Sequence, residues 1–346
     1  MTGRKQDILA GAKAAGLFDL ARRRTAPAIR ILCYHGLWLA GDGFGGDSMF
    51  MHADTFKRRL GILRREGYPV IPLAHAVKAL RGEGPQLPPA AVVITIDDGW
   101  WSTFTGMLPA LASHGMPATL YCDTAQLEGR QPIAHVMARY LDIVTAATRK
   151  LGNAPLIDIA AAAEARTVAR DLTRTMSERL VATHRLAHAL GIDLQPYLSA
   201  RAFDYMTPDE LAAAAHEGLD VQLHTHRHTL GDMSAAVIAA EIAANRRALS
   251  AILDKPETQF TEFCYPSGVA TLAAADVLSG LGLASSTTTR QGLAWPGMPM
   301  HLLPRLLDGE NLSDIEFEAE LSGFGDWLRS GRQSVSRVLG RAHAEA

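Results

Sequence analysis

Cysteine is scarce in this chain of 346 residues: Cys33, Cys122 and Cys264 stand far apart, each in an apolar, strand-like context. That spacing excludes a disulfide framework and a Cys-x-x-Cys metal knuckle. It fits a reducing compartment, so a cytoplasmic location is expected. A surplus of positive charge is also missing, since 34 Lys and Arg face 36 Asp and Glu for a formal net charge of −2. Nucleic acid is thereby disfavoured as a partner, because phosphate binding needs a concentrated basic face. No apolar run is long enough to cross a bilayer. Residues 1–24 lack the apolar core and small-residue cleavage site of a secretory leader, so none is expected.

What is present is concentrated in two short stretches. In Val92–Val93–Ile94–Thr95–Ile96–Asp97–Asp98–Gly99–Trp100, β-branched residues run into two adjacent carboxylates and a glycine. Such residues suit a strand, and a continuous apolar run suggests one covered on both faces. Neighbouring carboxylates repel unless a cation or proton separates them. Taken alone, the stretch reads equally well as a helix N-cap with a spare surface Asp. The second stretch, Asp220–Val221–Gln222–Leu223–His224–Thr225–His226–Arg227–His228, is another short strand that discharges into three histidines. Imidazole is the commonest metal ligand, and two His plus one carboxylate with open positions recurs in hydrolytic and oxidative metal sites.

Together the two stretches resemble the polysaccharide deacetylases, the carbohydrate esterase family 4 or NodB-homology group. That family carries a Thr-Phe-Asp-Asp-Gly motif and a His-Ser/Thr-x-x-His motif, filled here by Thr95–Ile96–Asp97–Asp98–Gly99 and by His224 to His228. The resemblance covers roughly residues 29–125 and 205–322. It implies a distorted (β/α) barrel, with Asp97 as general base and Asp98, His224 and His228 holding a divalent metal, Zn2+ first, that activates water against an acetylated sugar.

The order of elements agrees with a barrel. Ile29–Gly36 reads as a first strand ending at His35, and strand ends carry the chemistry of such folds. The family often carries a Tyr-His there, so His35 is a candidate for the mouth; a histidine satisfied by nearby backbone is the plainer alternative. The glycine-rich segment 36–50 suggests a lid. A helix capped by Asp54, a strand at Tyr68–Ile71, a helix over Leu73–Leu80 and a strand at Ala118–Cys122 continue the alternation. Residues 125–206 break it: Ala-rich 159–170 and Leu172–Leu190 are helix formers, which reads as a helical insertion containing His135, His184 and His188. Thr207–Glu210 is a capping box, and Ser234 caps a helix with apolar Ile238, Ile242, Leu249 and Ile252. Leu283–Thr288 reads as the final barrel strand. One barrel over 29–322 is expected, flanked by basic amphipathic segments at 1–28 and 323–346. These segments leave open a peripheral membrane contact beside the plainer reading of helices packed on the barrel.

The third motif departs from the family. Where Arg-x-Pro-Tyr/Phe-Gly would stand, the chain has Cys264–Tyr265–Pro266–Ser267–Gly268. Pro266 still sets the turn, so the Ser267 backbone N–H can serve an oxyanion, with Tyr265 beside it. The lost Arg leaves Arg227 or Arg305 to steady Asp97. The Leu-x-His source of the general acid is also missing; His35 is the first substitute, with His226 and His301 behind it, and His226 can equally orient a ligand. The expected function is metal-dependent removal of an N-acetyl group, before an O-acetyl group, from a glycan sugar. Two alternatives remain: a carbohydrate- or metal-binding barrel of weak turnover, and a metallohydrolase of a non-sugar amide. The sequence does not set the oligomeric state.

Overall fold

The computed structural model of the chain describes residues 2–40, 49–127, 129, 131–150 and 158–329. The glycines of the expected lid at 41, 43, 45 and 46, and the tail beyond 329, lie outside the described residues.

Seven parallel strands close into a barrel: β1 (Arg30–Tyr34), β4 (Val92–Asp98), β5 (Thr119–Cys122), β6 (Asp220–Leu223), β7 (Glu262–Cys264), β8 (Ser285–Gln291) and β9 (Leu303–Leu307), in that spatial order. Two short strands, β2 (Gly36–Leu37) and β3 (Phe50–Met51), pair beside the mouth. β4 is buried along its whole length and pairs with β1 and β5, as its apolar run predicts. The pleat sorts its residues. Val92, Ile94 and Ile96 pack outward in the main core, whereas Val93 joins Ile31, Tyr121 and Leu303 inside the barrel. Asp97 therefore points inward, and Asp98 follows at the rim with φ of 80°.

Helices cover the strands. α1 (Thr2–Ala14) and α2 (Leu17–Arg24) precede the barrel; α3 (Ala53–Arg65), α4 (Leu73–Leu80) and α5 (Leu108–His114) lie along its first half. α4 joins the interior cluster through Leu73, Ala76, Val77 and Leu80. Between β5 and β6 come α6 (Ala134–Lys150), α7 (Ile159–Arg170), α8 (Met176–Leu190) and α9 (Gln195–Ser199), then α10 (Pro208–His216); α11 (Ala235–Leu253), α12 (Leu272–Gly280) and α13 (Asp314–Leu321) complete the set. An aromatic cluster of Trp38, Tyr140, Tyr197 and Phe203 fastens α6 and α9 to the chain just after β2. The capping box at Thr207 and the Ser234 cap form as their sequences require.

Several boundaries differ from the sequence expectation. The barrel is closed by β9, which pairs with both β8 and β1, so 283–288 is not its last strand. β9 carries Pro304, which lacks the N–H that most strand positions donate. The Tyr68–Ile71 strand shrinks to a single bridge between Val70 and Val92. His52, not Asp54, precedes α3, and Asp54 sits in its first turn. Leu172 lies in a turn, because Thr175 forms a capping box with Glu178 and starts α8 there.

The basic N-terminal helices face the protein. Leu9, Phe18 and Ala21 pack on Ala319 and Phe324, while Lys5 and Lys13 pair with Glu316 and Glu318 at 2.6 and 2.7 Å. Among the described residues no helix is long and apolar enough to cross a membrane.

Candidate active site

All seven strands point the same way, so their carboxyl ends share one mouth, the usual location of chemistry in such barrels. β4 delivers Asp97 and Asp98 there, β6 delivers His224 to His228, and β1 delivers Cys33 and His35.

Asp97 is 3% exposed and grips Arg305 through both oxygens, at 2.7 Å (Oδ1 to Nη1) and 2.6 Å (Oδ2 to Nη2). Arg305 is fully buried on β9 and also donates to Thr95 Oγ1 and to the Thr288 carbonyl. Burial alone would raise the Asp97 carboxyl, but the charge and hydrogen bonds of Arg305 outweigh it and bring it down to about 2. Of the two arginines considered as substitutes for the missing motif residue, Arg305 is thus the one at Asp97. Arg227 is not: it is exposed, and its Nε donates to Glu241 at 2.7 Å. Cys264 stands where the family has arginine; its Sγ and that of Cys33 approach Asp97 Oδ2 at 3.6 and 3.7 Å. His35 Nε2 lies 3.9 Å from the same oxygen, and its Nδ1 is buried with no partner among the described residues.

Asp98 serves a separate cluster. Its Oδ1 is 3.4 Å from His224 Nε2 and 3.3 Å from His228 Nε2, and its Oδ2 accepts from Trp100 Nε1 at 2.8 Å. The three donor atoms lie within 4.8 Å of one another, as a metal site requires. His224 Nδ1 is 2.8 Å from the Cys264 carbonyl, which can only accept, so Nδ1 carries the proton. A neutral His224 then turns a lone pair toward the Asp98 oxygen. Two acceptors facing each other call for positive charge between them, and two imidazoles with one carboxylate are a donor set that fits a zinc-like divalent cation. Burial works to lower the His228 imidazole, yet Asp98, joined by Asp123 and Asp97, carries it up to about 9.

The histidine loop is braced from α11. Glu241, 1% exposed, accepts from the N–H groups of His226 and Arg227 at 3.1 and 2.9 Å. Asn245 accepts from the His224 N–H at 2.9 Å and donates to the Cys122 carbonyl and Thr124 Oγ1. These contacts hold Thr225 and His228 at φ of 68° and 56°, which together with Asp98 puts three non-glycine residues in the left-handed region at one site. Such backbone costs about 1 kcal/mol or more per residue and persists only where surrounding contacts enforce it. Glu241 and Asn245 escaped the sequence reading, although two polar residues interrupting the apolar face of Ile238, Ile242 and Leu249 were a usable signal.

The remaining candidates divide. Pro266 is buried and Ser267 is exposed at φ 55°, with Gly268 behind it, where a Cβ would overlap the Thr289 side chain. Tyr265 is 1% exposed and stacks edge-on with Phe263. His226 turns away from the cluster, its Nδ1 2.9 Å from Thr124 Oγ1. His301 is not at the mouth: it bonds Ser286 near the start of β8, at the opposite end of the barrel. An unforeseen acid, Asp123, follows β5 fully buried, and burial raises it to about 8.

The site is a closed parallel barrel with two carboxylates on one strand end and paired histidines on another. The family model described as polysaccharide deacetylase matches residues 84–286, more than half of the sequence. The chain belongs to the polysaccharide deacetylase family. Over 83 residues it is 35% identical to the poly-beta-1,6-N-acetyl-D-glucosamine N-deacetylase of Escherichia coli (strain K12), a stretch covering 23% of this chain and 12% of that relative. Among solved structures it resembles the Streptococcus pyogenes deacetylase PplD in complex with acetate (TM-score 0.57, 17% identity, 86% of this chain and 99% of the other). It also resembles IcaB from Ammonifex degensii (TM-score 0.55, 17% identity, 86% and 98%). At such identities the structures bear on the fold alone.

Proposed function

We propose that this chain is a divalent-metal-dependent hydrolase that removes an N-acetyl group, in preference to an O-acetyl group, from a sugar of a glycan or glycan precursor. The observation that carries the reading is the separation of two adjacent carboxylates: Asp97 is clamped by Arg305 inside the barrel, while Asp98 meets His224 and His228 at the rim. Family membership supports the substrate class, and the Escherichia coli relative puts N-acetylglucosamine polymers first among candidates. Three buried free thiols support a cytoplasmic location.

Asp98, His224 and His228 would hold a divalent cation, which when bound would supply Lewis acidity toward water and an acyl oxygen. Asp97 accepts the proton of the attacking water. Arg305 holds Asp97 down at about 2, which keeps it ionised and able to accept a proton, and fixes both of its oxygens. The Ser267 N–H, at the turn after Pro266, donates to the acyl oxygen as it turns negative. His35, at the rim beside Asp97, returns a proton to the leaving amine.

Acetate release from β-1,6-linked and β-1,4-linked N-acetylglucosamine oligomers, before and after chelation and zinc return, tests the reading. Release that chelation abolishes and zinc restores is expected; a rate indifferent to chelation contradicts it. The double grip of Arg305 on Asp97 also favours a second reading, a barrel that binds sugar or metal with little turnover. Stoichiometric metal without acetate release across the panel selects that one.

A further inference from the structure

The helical insertion places a histidine whose tautomer is fixed by its neighbour. His135 lies in the first turn of α6, and Arg179 of α8 donates from Nη2 to His135 Nδ1 at 3.0 Å. Guanidinium nitrogens only donate, so Nδ1 must be the accepting nitrogen and the ring proton must sit on Nε2. Arg179 is 6% exposed, anchored by Nε to the Ala169 carbonyl, and no carboxylate forms an ion pair with it among the described residues. A buried guanidinium needs its donors met, and one of them goes to the accepting nitrogen of His135, while the Asp171 charge lies near enough to act on it. The His135 side chain itself is exposed, and Nε2 has no bond to any described residue.

The chain path ties this pair to the mouth. The Ile133 N–H donates to the Phe203 carbonyl, the Trp101 N–H to the Asp204 carbonyl and the Met206 N–H to the Gly99 carbonyl, at 2.9, 2.9 and 2.8 Å. Residues 203–206 thereby strap the start of α6 to the corner that follows Asp98. Surrounding protein, with the Arg179 charge, holds the imidazole below its ordinary value. It is neutral near pH 7, a hydrogen-bond donor rather than an acid.

We infer that His135 is a substrate-binding residue, its Nε2–H donating to a hydroxyl, ring or glycosidic oxygen of a sugar adjoining the one deacetylated, with Arg179 as the positioning residue that fixes its tautomer. The inference rests on the carbohydrate reading above and extends it, since it makes the insertion a wall of the binding cleft. Sugar oxygens suit a neutral, oriented N–H, which binds them without demanding a charge.

The test combines two readouts. Imidazole 15N shifts of the native protein report the tautomer directly, with Nε2 protonated and Nδ1 bare expected. Binding of a β-1,6-linked N-acetylglucosamine oligomer is then measured by calorimetry on zinc-loaded Asp97→Asn protein, alone and with His135→Phe or His135→Gln added. His135→Phe keeps the ring volume and is expected to weaken binding about 3- to 10-fold. His135→Gln, whose amide can accept from Arg179 and donate onward, is expected to restore most of it. In the active protein His135→Phe should raise KM by a similar factor with kcat little changed. A proton on Nδ1, or His135→Phe binding as tightly as its parent, overturns the inference. Acetate release by the native protein alongside indifference to His135→Phe removes His135 and leaves the deacetylase reading standing. Binding that depends on His135 without any acetate release supports the contact and removes the deacetylase reading.

Discussion

At the mouth of the barrel, Asp97 is buried against Arg305 and held at about 2; toward the other end, Glu262 is buried to 4% against Ser285 and is carried up to about 7 by burial. Both acids sit on barrel strands in nearly dry surroundings. One is held ionised because a bidentate cation meets it, and the other is carried up because burial outweighs the Ser285 hydroxyl that it accepts from. The difference extends to the backbone: left-handed Asp98, Thr225, His228 and Ser267 crowd the mouth, whereas β7 and β8 begin without any such residue. Charge pairing and strain are concentrated where the chemistry is proposed.

Four substitutions probe that contrast. The largest effect is expected for Asp97→Asn, which should lower acetate release about 10³-fold, within the range for losing a general base; circular dichroism should stay close to native, while the buried Arg305 guanidinium left without its carboxylate should cost about 3–5 kcal/mol of stability. Arg305→Met comes next. It strands a buried carboxylate and should cost about 3–5 kcal/mol in urea unfolding. With the guanidinium gone, burial raises Asp97, so the acid limb of the pH–rate profile should move upward; in the native protein Asp97 stays ionised until the pH falls toward 2. Glu262→Gln addresses the floor. A carboxyl raised from 4.5 to about 7 in the fold contributes stability below 4.5 that is lost as the pH rises through 7. The Gln variant should therefore gain up to about 3 kcal/mol relative to native at pH 8 and none at pH 4, read from unfolding at the two pH values. Glu241→Gln should have the smallest consequence, weakening metal affinity about 10-fold by loosening the histidine loop, as titration with zinc would register. If Glu262→Gln and Arg305→Met shift stability in the same direction, the contrast between the two ends fails.

Much of this arrangement was legible in the sequence because it is local. A β-branched run ending in Asp97 and Asp98, a short strand ending in His224 and His228, and the capping box at Thr207 each depend on neighbours a few residues away. What could not be read is long-range. Arg305 reaches Asp97 across 208 positions, from β9, beyond the strand expected to be last. Arg227, offered beside it as a substitute, is captured by Glu241 from the next helix. His301 is the nearest histidine in sequence to the missing acid, and barrel geometry sends it to the opposite end, because it precedes β9 rather than following it. The Arg179 to His135 contact joins two helices of the insertion that sequence periodicity marks only as helical.

The account stands on Asp97 and Asp98 having different jobs, and bound zinc per chain, measured for Asp97→Asn and Asp98→Asn after identical loading and dialysis, tests that most directly. Asp97→Asn is expected to retain one zinc with acetate release abolished, and Asp98→Asn to lose the metal and the activity together. Equal zinc retention by both variants, or its loss from both, would contradict the division of labour between the two carboxylates.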